Sequence, residues 1–583
     1  MTTLETDVLV VGSGPAGGAS AALLATYGVA NVLVTKYGWL ADTPRAHITN
    51  QRTMEVLRDL GIEAAAIAKA TPQALMGNNV FCSSLAGEEL GRLLTWGNHP
   101  ARKADYDLAS PTEICDIPQD LMEPILLETA ARRGTKVKFN TELVDLAQDA
   151  DGVTATVKDR LTGETSTIRA KYLIGADGGK SRVAELVGLP FAGASGLAGS
   201  MNIVFDADLT RYVAHRPSVL YWVLRPGANI GGIGAGLVRM VRPWNRWLVV
   251  WGYDISQGEK RLDEAEAIAI VRDLIGDPAI DVTIRSKSTW TVNNQYATRY
   301  VAGRVFCMGD AVHRHPPTNG LGSNTSIQDA YNLCWKLAHV LAGKASPALL
   351  ASYDAERAPI GKQIVTRANK SIEDFAPIFD AVGLRSSTDP AEATRYIAAR
   401  KAPTDEGKAR RKRLHDAIAY KSYEFNCHGV ELNQRYRSTA VVEDGTPEPA
   451  WRRDRELYFQ ATTWPGARLP HVWVEQAAVR RSTLDLVGRG RFTLLTGIGG
   501  AAWQAAAAAV TARYAIELPV TTIGPAGCDA LDIYGDWYRD SEIEEAGCIV
   551  VRPDQHVAWR APVMPADPTT ALLDVFARLL GFA

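Results

Sequence analysis

No two cysteines of this chain are spaced C-x-x-C. The seven present, Cys82, Cys115, Cys307, Cys334, Cys427, Cys528 and Cys548, are odd in number and scattered. That excludes a disulfide framework, a zinc ribbon or other metal centre on cysteine pairs, and a dithiol redox site; it fits reduced thiols in a cytoplasmic protein. No apolar run is long enough to span a bilayer, so no membrane association is expected. The alanine-rich stretch 501–510 is too short and too weakly hydrophobic for a span and reads as a helix packed on a sheet. Neither sign of charge is in excess: 63 Lys and Arg stand against 65 Asp and Glu, a net charge of -2. A nucleic-acid partner or an anionic membrane surface is therefore not indicated. The first residues show no basic segment followed by an apolar core and a cleavage site, and they enter a strand at once, so no signal peptide is expected. There are no internal repeats.

What is present begins at residue 8. An apolar run, Val8–Val11, leads into VGSGPAGG (11–18) and then into a small-residue run, 19–25: strand, glycine turn, helix. Gly12, Gly14 and Gly17 fit G-x-G-x-x-G, in which the glycines permit a tight turn, a close approach of backbone to a pyrophosphate, and close helix–strand packing. The helix N-terminus adds free N–H groups and partial positive charge. The pattern departs from the fingerprint at one point. An Asp or Glu is expected some twenty residues on, against the ribose, but the second strand ends in VLVTKYG, and Thr35 or Lys36 must serve instead.

The length, 583 residues with 46% hydrophobic content, suffices for several cores. Residues 1 to about 70 read as βαβ plus a helix, 49–60, and a further helix, 119–133, opens after Pro118. Strands follow at 137–145, 153–158 and 171–175. From 201 to 253 the runs 219–224, 230–238 and 247–253 predict an antiparallel wall, with GGIGAG (231–236) as a turn or bulge inside it. Helices are predicted at 262–275 and 326–341, the latter with Ile327, Ala330, Leu333, Cys334, Leu337 and Leu341 on one face. The charged, Pro/Ala-rich stretch 386–412 reads as surface helices and a linker. A small α/β unit begins near 435, with strands at 491–496 and 521–524 around a helix at 501–513.

Two further motifs agree with the first. YLIGADGGKSRV (172–183) runs a strand into Asp177-Gly178. GRVFCMGDAVHRHPPTNGLGSNTSIQDAYNLCWKL (303–337) ends a buried strand at Asp310, bends at Pro316 and Pro317, and reaches a helix through Gly320 and Gly322. Such a helix N-terminus can stabilise negative charge on a flat ring system. In this order the three motifs resemble the dinucleotide fingerprint, the DG motif and the GD motif of the class A flavoprotein aromatic monooxygenases. The segments PRAHITNQRTMEVLRDLG and GDAVHRHPPTNGLGSNTSIQDAYNLCWK look most like the phenol hydroxylase branch, in particular its members acting on chlorinated phenols.

The resemblance implies an α/β fold: a Rossmann-like FAD-binding domain (1–75, 108–190 and 285–380), an antiparallel β-sheet substrate-binding domain (76–107 and 191–284), a helical linker region (381–434) and a C-terminal thioredoxin-like domain (435–583) without redox cysteines. It implies FAD, with NAD(P)H as a transient co-substrate, and hydroxylation of a phenol by O2, ortho to the hydroxyl, through a flavin C4a-hydroperoxide. Gly12, Gly14 and Gly17 would hold the pyrophosphate. Lys36 or Thr35 would reach the ribose or a phosphate, and Arg45 and Gln119 would contact FAD. Asp177 would lie near the pyrophosphate and the nicotinamide route, Asp310 would bind the ribityl chain, and Pro316, Gly320, Gly322 and Asn324 would line the isoalloxazine.

His47 is the expected substrate base. It resembles a position where an acidic residue contacts the phenol hydroxyl, and an imidazole can accept that proton; the alternative is that it only bonds backbone near the flavin. His313 and His315 are rivals that suit a structural role in the flavin loop. Trp290 and Tyr221 are candidates for the substrate wall, with sheet packing as the alternative. No second fingerprint follows a strand, so a separate NADPH domain is not expected, and no W-x-W-x-I-P motif supports a halogenase. A larger phenolic or hydroxypyridine substrate, and a non-enzymatic flavin-binding role, stay open at this point. The resemblance also implies a possible homo-oligomer.

Overall fold

The apolar run before the glycine turn forms strand Thr3–Val11, near the middle of the first of three large sheets. The structure is a computed structural model that describes residues 3–225, 236–384 and 389–583. The first sheet runs Val301–Ala302, Val305–Cys307, Thr165–Gly175, Thr3–Val11, Asn31–Val34, Lys136–Lys138, with Thr141–Gln148 and Val153–Asp159 as a side hairpin. Its core pairs are parallel, and helix Pro15–Thr26 crosses between the first two strands, packed on helices Gly322–Leu341 and Gln119–Arg132. Backbone hydrogen bonds join the strand ends one to the next: Gly12 N–H to Val34, Ala176 N–H to Val11, Met308 N–H to Gly175, at 2.8–3.0 Å. The three motifs thereby meet at the carboxyl ends of adjacent parallel strands, where open α/β sheets bind ligands.

The second sheet is organised on two long antiparallel strands, Phe191–Asp206 and Thr283–Ala297. Arg246–Tyr253, Gly236–Arg242, Leu220–Val223, Asn78–Cys82 and Glu89–Leu94 continue it, and His313–Arg314 pairs at its far edge. One pairing departs from the antiparallel expectation: Leu220–Val223 and Asn78–Cys82 run parallel, because the second of these arrives from a distant part of the chain rather than from a hairpin. Strand Thr283–Ala297 also crosses the expected boundary at 285. Of GGIGAG, residues 231–235 lie outside the described residues, as do 226–230; Gly236 opens a strand. The expected surface helices and linker at 386–412 run into helix Asp405–Tyr420, whose Leu414, Ala417 and Ile418 join the core of this sheet with Phe375, Phe379 and Phe425. Residues 385–388 are not described.

The third sheet carries the C-terminal unit. Thr493–Thr496 and Val520–Gly524 are parallel and joined by helix Ala502–Tyr514; Cys548–Val551 pairs antiparallel with the first of them, and Val557–Ala561 follows, leading to helix Pro568–Leu579. The two helices pack together, and apolar clusters line both faces of the sheet. Among the described residues no helix is long and apolar enough to cross a membrane.

Candidate active site

The glycine turn is built for a ligand on one side only. Gly12 has φ +108°, and a side chain there would strike the Ala176 carbonyl; one at Gly17 would strike the carbonyl of Gly12. These two are glycines because protein packs on them. At Gly14 an added Cβ would meet nothing nearer than Glu123 Oε1 at 3.8 Å, so space is left over the turn. Gly14 caps helix Pro15–Thr26 with no side chain, and the first turn holds no acidic residue. The helix start thus keeps its positive end uncompensated, as an anionic pyrophosphate requires.

The neighbouring residues complete this cradle. Ser13 donates to the Thr35 hydroxyl at 3.1 Å, tying the second strand to the turn, while Lys36 is exposed. Gln119 donates to Glu123 at 2.5 Å and the Ala41 N–H donates to the other Glu123 oxygen at 2.8 Å. Burial pushes the Glu123 carboxyl above its usual range, with those two bonds opposing. Glu123 escaped the sequence reading because it sits inside an ordinary helical pattern. The Asp177 carboxylate accepts from the Ser181 hydroxyl at 2.5 Å and from the N–H groups of Arg182 and Val183, so it fixes its own loop. Asp310 lies exposed in the turn Gly309–Ala311 after strand Val305–Cys307, with no hydrogen bond to its carboxylate among the described residues.

The loop between that turn and the next helix is held from below. Asp329 accepts from the Gly309 N–H at 3.1 Å, from His313 at 2.9 Å and from Arg357 at 2.7 Å, all buried. Burial raises the Asp329 carboxyl, but Arg357 and His313 outweigh it and hold it below the usual range. His313 is therefore part of the scaffold. His315 donates through Nδ1 to the Pro316 carbonyl at 2.7 Å, and its Nε2 is buried without a partner; burial and His313 push its pKa down to about 4. Asn324 is 1% exposed and fully engaged. It donates to the Ile48 carbonyl at 2.8 Å and the Gly320 carbonyl at 2.5 Å, and accepts from the Asn50 N–H at 3.0 Å. It joins the loop to the segment bearing His47, and helix Gly322–Leu341 starts with no side-chain cap. Both helix starts and the open turn fit FAD.

His47 is positioned by a two-stranded ribbon, Ile48–Thr49 against Cys115–Asp116. The ribbon brings Asp116 Oδ1 to 2.7 Å from His47 Nδ1. Asp116 is 1% exposed and its Oδ2 has no partner. Burial, and next the Arg239 charge, lower the His47 pKa to about 4 against the opposing pull of Asp116. His47 is thus a neutral imidazole whose Nδ1–H is donated to a carboxylate, leaving Nε2 as an acceptor. Arg239 donates from Nη1 to the Arg45 carbonyl, while Nε and Nη2 are buried and unpaired. The sequence reading missed Asp116 and Arg239. Asp116 sits far from His47 in the chain; Arg239 did leave a signal, a lone charge inside the apolar run LVRMV.

The two aromatic candidates lie in the second sheet. Trp290 is half-buried and donates to Asn202 at 3.0 Å. Tyr221 is fully buried, donates to the Arg216 carbonyl at 3.0 Å, and packs on Trp247, so its hydroxyl is spent within the sheet.

Comparison with known proteins finds relatives along the whole chain. Residues 5–368 match the family described as FAD binding domain, and 462–583 match the aromatic-ring hydroxylase C-terminal family. The chain is 60% identical to the 2,4-dichlorophenol 6-monooxygenase of Delftia acidovorans, covering 96% of this chain and 95% of that one. It is 53% identical to the phenol 2-monooxygenase of a Pseudomonas species, strain EST1001, over 98% and 93%. The crystal structure of the flavin-dependent monooxygenase PieE with FAD and substrate superposes with a TM-score of 0.95 at 46% identity, covering both chains fully. The chain belongs to the FAD-dependent aromatic-ring monooxygenases.

Proposed function

We propose that the protein hydroxylates a small phenol ortho to its hydroxyl: phenol, NAD(P)H, H+ and O2 give a catechol, NAD(P)+ and water. FAD supplies the reduction of O2 and the transfer of one oxygen atom. The chain's residues do the rest. The glycine turn and the Glu123–Gln119 pair hold the cofactor at one end. The Asn324 junction fixes the loop under the ring system, with Asp310 free to accept from the ribityl hydroxyls. His47 accepts the phenol proton at Nε2, and Asp116 keeps its tautomer and orientation. Removing proton density from the phenol oxygen pushes electron density to the ortho carbon, which the oxygen atom then joins. The single observation that supports this reading is the His47–Asp116 pair, 2.7 Å apart and next in the chain to the Ile48 carbonyl bound by Asn324. The names of the relatives, a dichlorophenol and a phenol monooxygenase, support the substrate class.

The C-terminal unit reads as thioredoxin-like. Its support is the order of a βαβ unit and a following ββα unit in one sheet, with no C-x-x-C. The four-part domain division is kept with the substrate wall extended past 285 by strand Thr283–Ala297 and with helix Asp405–Tyr420 packed on that wall, and the seven unpaired cysteines suit the cytoplasm.

The test is NADH and NADPH oxidation by the FAD-loaded protein against a panel of phenols, with mass analysis of products. Oxidation stimulated by a phenol, with one product heavier by one oxygen per nicotinamide consumed, is expected. Equal oxidation with and without every phenol, yielding only peroxide, would overturn the reading.

A further inference from the structure

The loop that leads from Pro316 to helix Gly322–Leu341 holds a left-handed residue that is not glycine. Asn319 has φ +63° and ψ -8°, a conformation that glycine takes most easily and Asn more readily than most other residues. It is 7% exposed, and its side chain reaches a part of the chain a hundred residues on. Nδ2 donates to the Tyr423 carbonyl at 2.9 Å and to the Glu424 carbonyl at 3.3 Å, and lies 3.5 Å from Cys427 Sγ. Two facing carbonyls settle which end of the amide is the NH2 group. The flavin loop is thus bound to helix Ser422–Phe425, in the stretch that reads from sequence as a linker.

That helix is fixed on two further sides. Lys421, fully buried, donates to the Ser371 carbonyl at 2.7 Å. Ser371 belongs to helix Ala351–Glu373, whose Ala368 carbonyl also accepts from Thr318 of the loop at 2.6 Å. Toward the second sheet, the Phe425 carbonyl accepts from the Trp96 N–H at 3.3 Å, and Asn426 Nδ2 donates to the Leu94 carbonyl at 3.1 Å, at the end of strand Glu89–Leu94. The Phe425 ring packs on Trp96 and Trp222 within the core of that sheet. Residues 421–427 therefore bridge the flavin loop and the second sheet. A turn alone would need only glycine at 319; the bridge needs the amide.

We infer that Asn319 is a positioning residue of the reaction: through it, segment 421–427 sets the flavin loop against the second sheet, and that setting decides whether oxygen reaches the phenol or leaves as peroxide. The inference rests on the hydroxylase reading and brings the linker into the site. Oxygen transfer needs the reacting atoms held in close alignment, where a misplacement of about 1 Å lowers a rate by about a hundredfold; release of peroxide needs no such alignment. A loosened loop therefore loses product before it loses nicotinamide oxidation.

The test compares Asn319→Gly, Asn319→Asp, Asn426→Ala and the double variant Asn319→Gly with Asn426→Ala, all FAD-loaded. Gly keeps the left-handed backbone and removes only the tie; Asp keeps the size but turns oxygens toward the two carbonyls. Catechol and peroxide per nicotinamide consumed are measured, together with the fluorescence of the bound flavin, FAD content and melting temperature. Catechol per nicotinamide should fall about tenfold in Gly and in Asp, with peroxide making up the difference, and flavin fluorescence should rise. Asn426→Ala cuts the same bridge at its other end, so it should show the same loss, and the double variant should be no worse than either single one. Wild-type coupling in Asn319→Gly, even with a lower melting temperature, would make the contact purely structural and overturn the inference. Losses that add in the double variant would also overturn it, because the two ends would then act separately. Should Asn319→Gly fail to fold, Asn426→Ala decides, since it lies outside the loop. If the wild type hydroxylates no phenol, the functional reading falls, and fluorescence, which needs no turnover, still judges the bridge: raised alike in the variants supports it, unchanged refutes it.

Discussion

At the scale of the residue, the proposed site turns on a histidine paired with a buried acid. His47 has the acid beside it, one ribbon strand away, at 2.7 Å. His47→Ala should lower product formation by about a hundredfold to ten-thousandfold, the usual contribution of a positioned base, with nicotinamide oxidation diverted to peroxide. The pH dependence follows from the pKa. Burial and Arg239 lower His47 from 6.5 to about 4, so the base form persists down to that pH. The acid limb of kcat/KM for the free enzyme should then fall near pH 4; a limb near 6.5 would show that His47 is not the base or not buried as described. Asp116→Asn removes a group that raises the His47 pKa, so it should shift the limb lower still and reduce kcat. The sequence singles out His47 by its motif but not its partner Asp116, since that pairing exists only in the ribbon.

At the scale of the element, the junction between the flavin loop and the ribbon is held by one side chain. Asn324→Ala leaves the Ile48 and Gly320 carbonyls and the Asn50 N–H without their partner, each at a cost of about 1–3 kcal/mol if buried and unmet. Weaker FAD retention, measured by ultrafiltration, together with a lower melting temperature should follow; normal FAD affinity would contradict the role given to Asn324. Helix His428–Leu432 carries a second readable group. Glu431 is buried with one oxygen unpartnered, and burial alone raises its pKa from 4.5 to about 8. The fold therefore favours its protonated form. That contribution is fully present below about pH 4.5 and is lost as pH rises through 8. Glu431→Gln should flatten the loss of melting temperature between pH 5 and 9, and an unchanged slope would place the titration elsewhere. The main helices and strands of the first sheet were legible from periodicity and glycine turns. The parallel pairing of Leu220–Val223 with Asn78–Cys82 was not, because register between distant segments leaves no local pattern.

At the scale of the whole molecule, the C-terminal unit is bound to the FAD-binding domain through buried charge. Arg552 pairs with Glu356, which also holds Lys336 at 2.8 Å, all three fully buried. Arg468 pairs with Glu55, and Arg52 donates to Glu55, to Gln555 and to the Asp554 carbonyl. Helix Gln51–Asp59, which bears Arg52 and Glu55, starts at Asn50 beside the Asn324 junction, so the C-terminal unit braces the segment that follows His47. Breaking a buried pair leaves an uncompensated charge and costs about 3–5 kcal/mol. Arg468→Met should therefore destabilise the protein by that order in denaturant unfolding, while a change under about 1 kcal/mol would show the interface to be peripheral. This network was invisible in sequence: each residue alone reads as a solvated surface charge.

The central claim is that these parts together move one atom of O2 onto a phenol. The most direct measurement supplies isotopically heavy O2 to FAD-loaded enzyme with NAD(P)H and a chlorinated phenol, and examines the product by mass spectrometry. The account predicts a catechol carrying one heavy oxygen, ortho to the original hydroxyl, and its loss in His47→Ala. Label found only in peroxide and water, with the phenol unchanged, would contradict it.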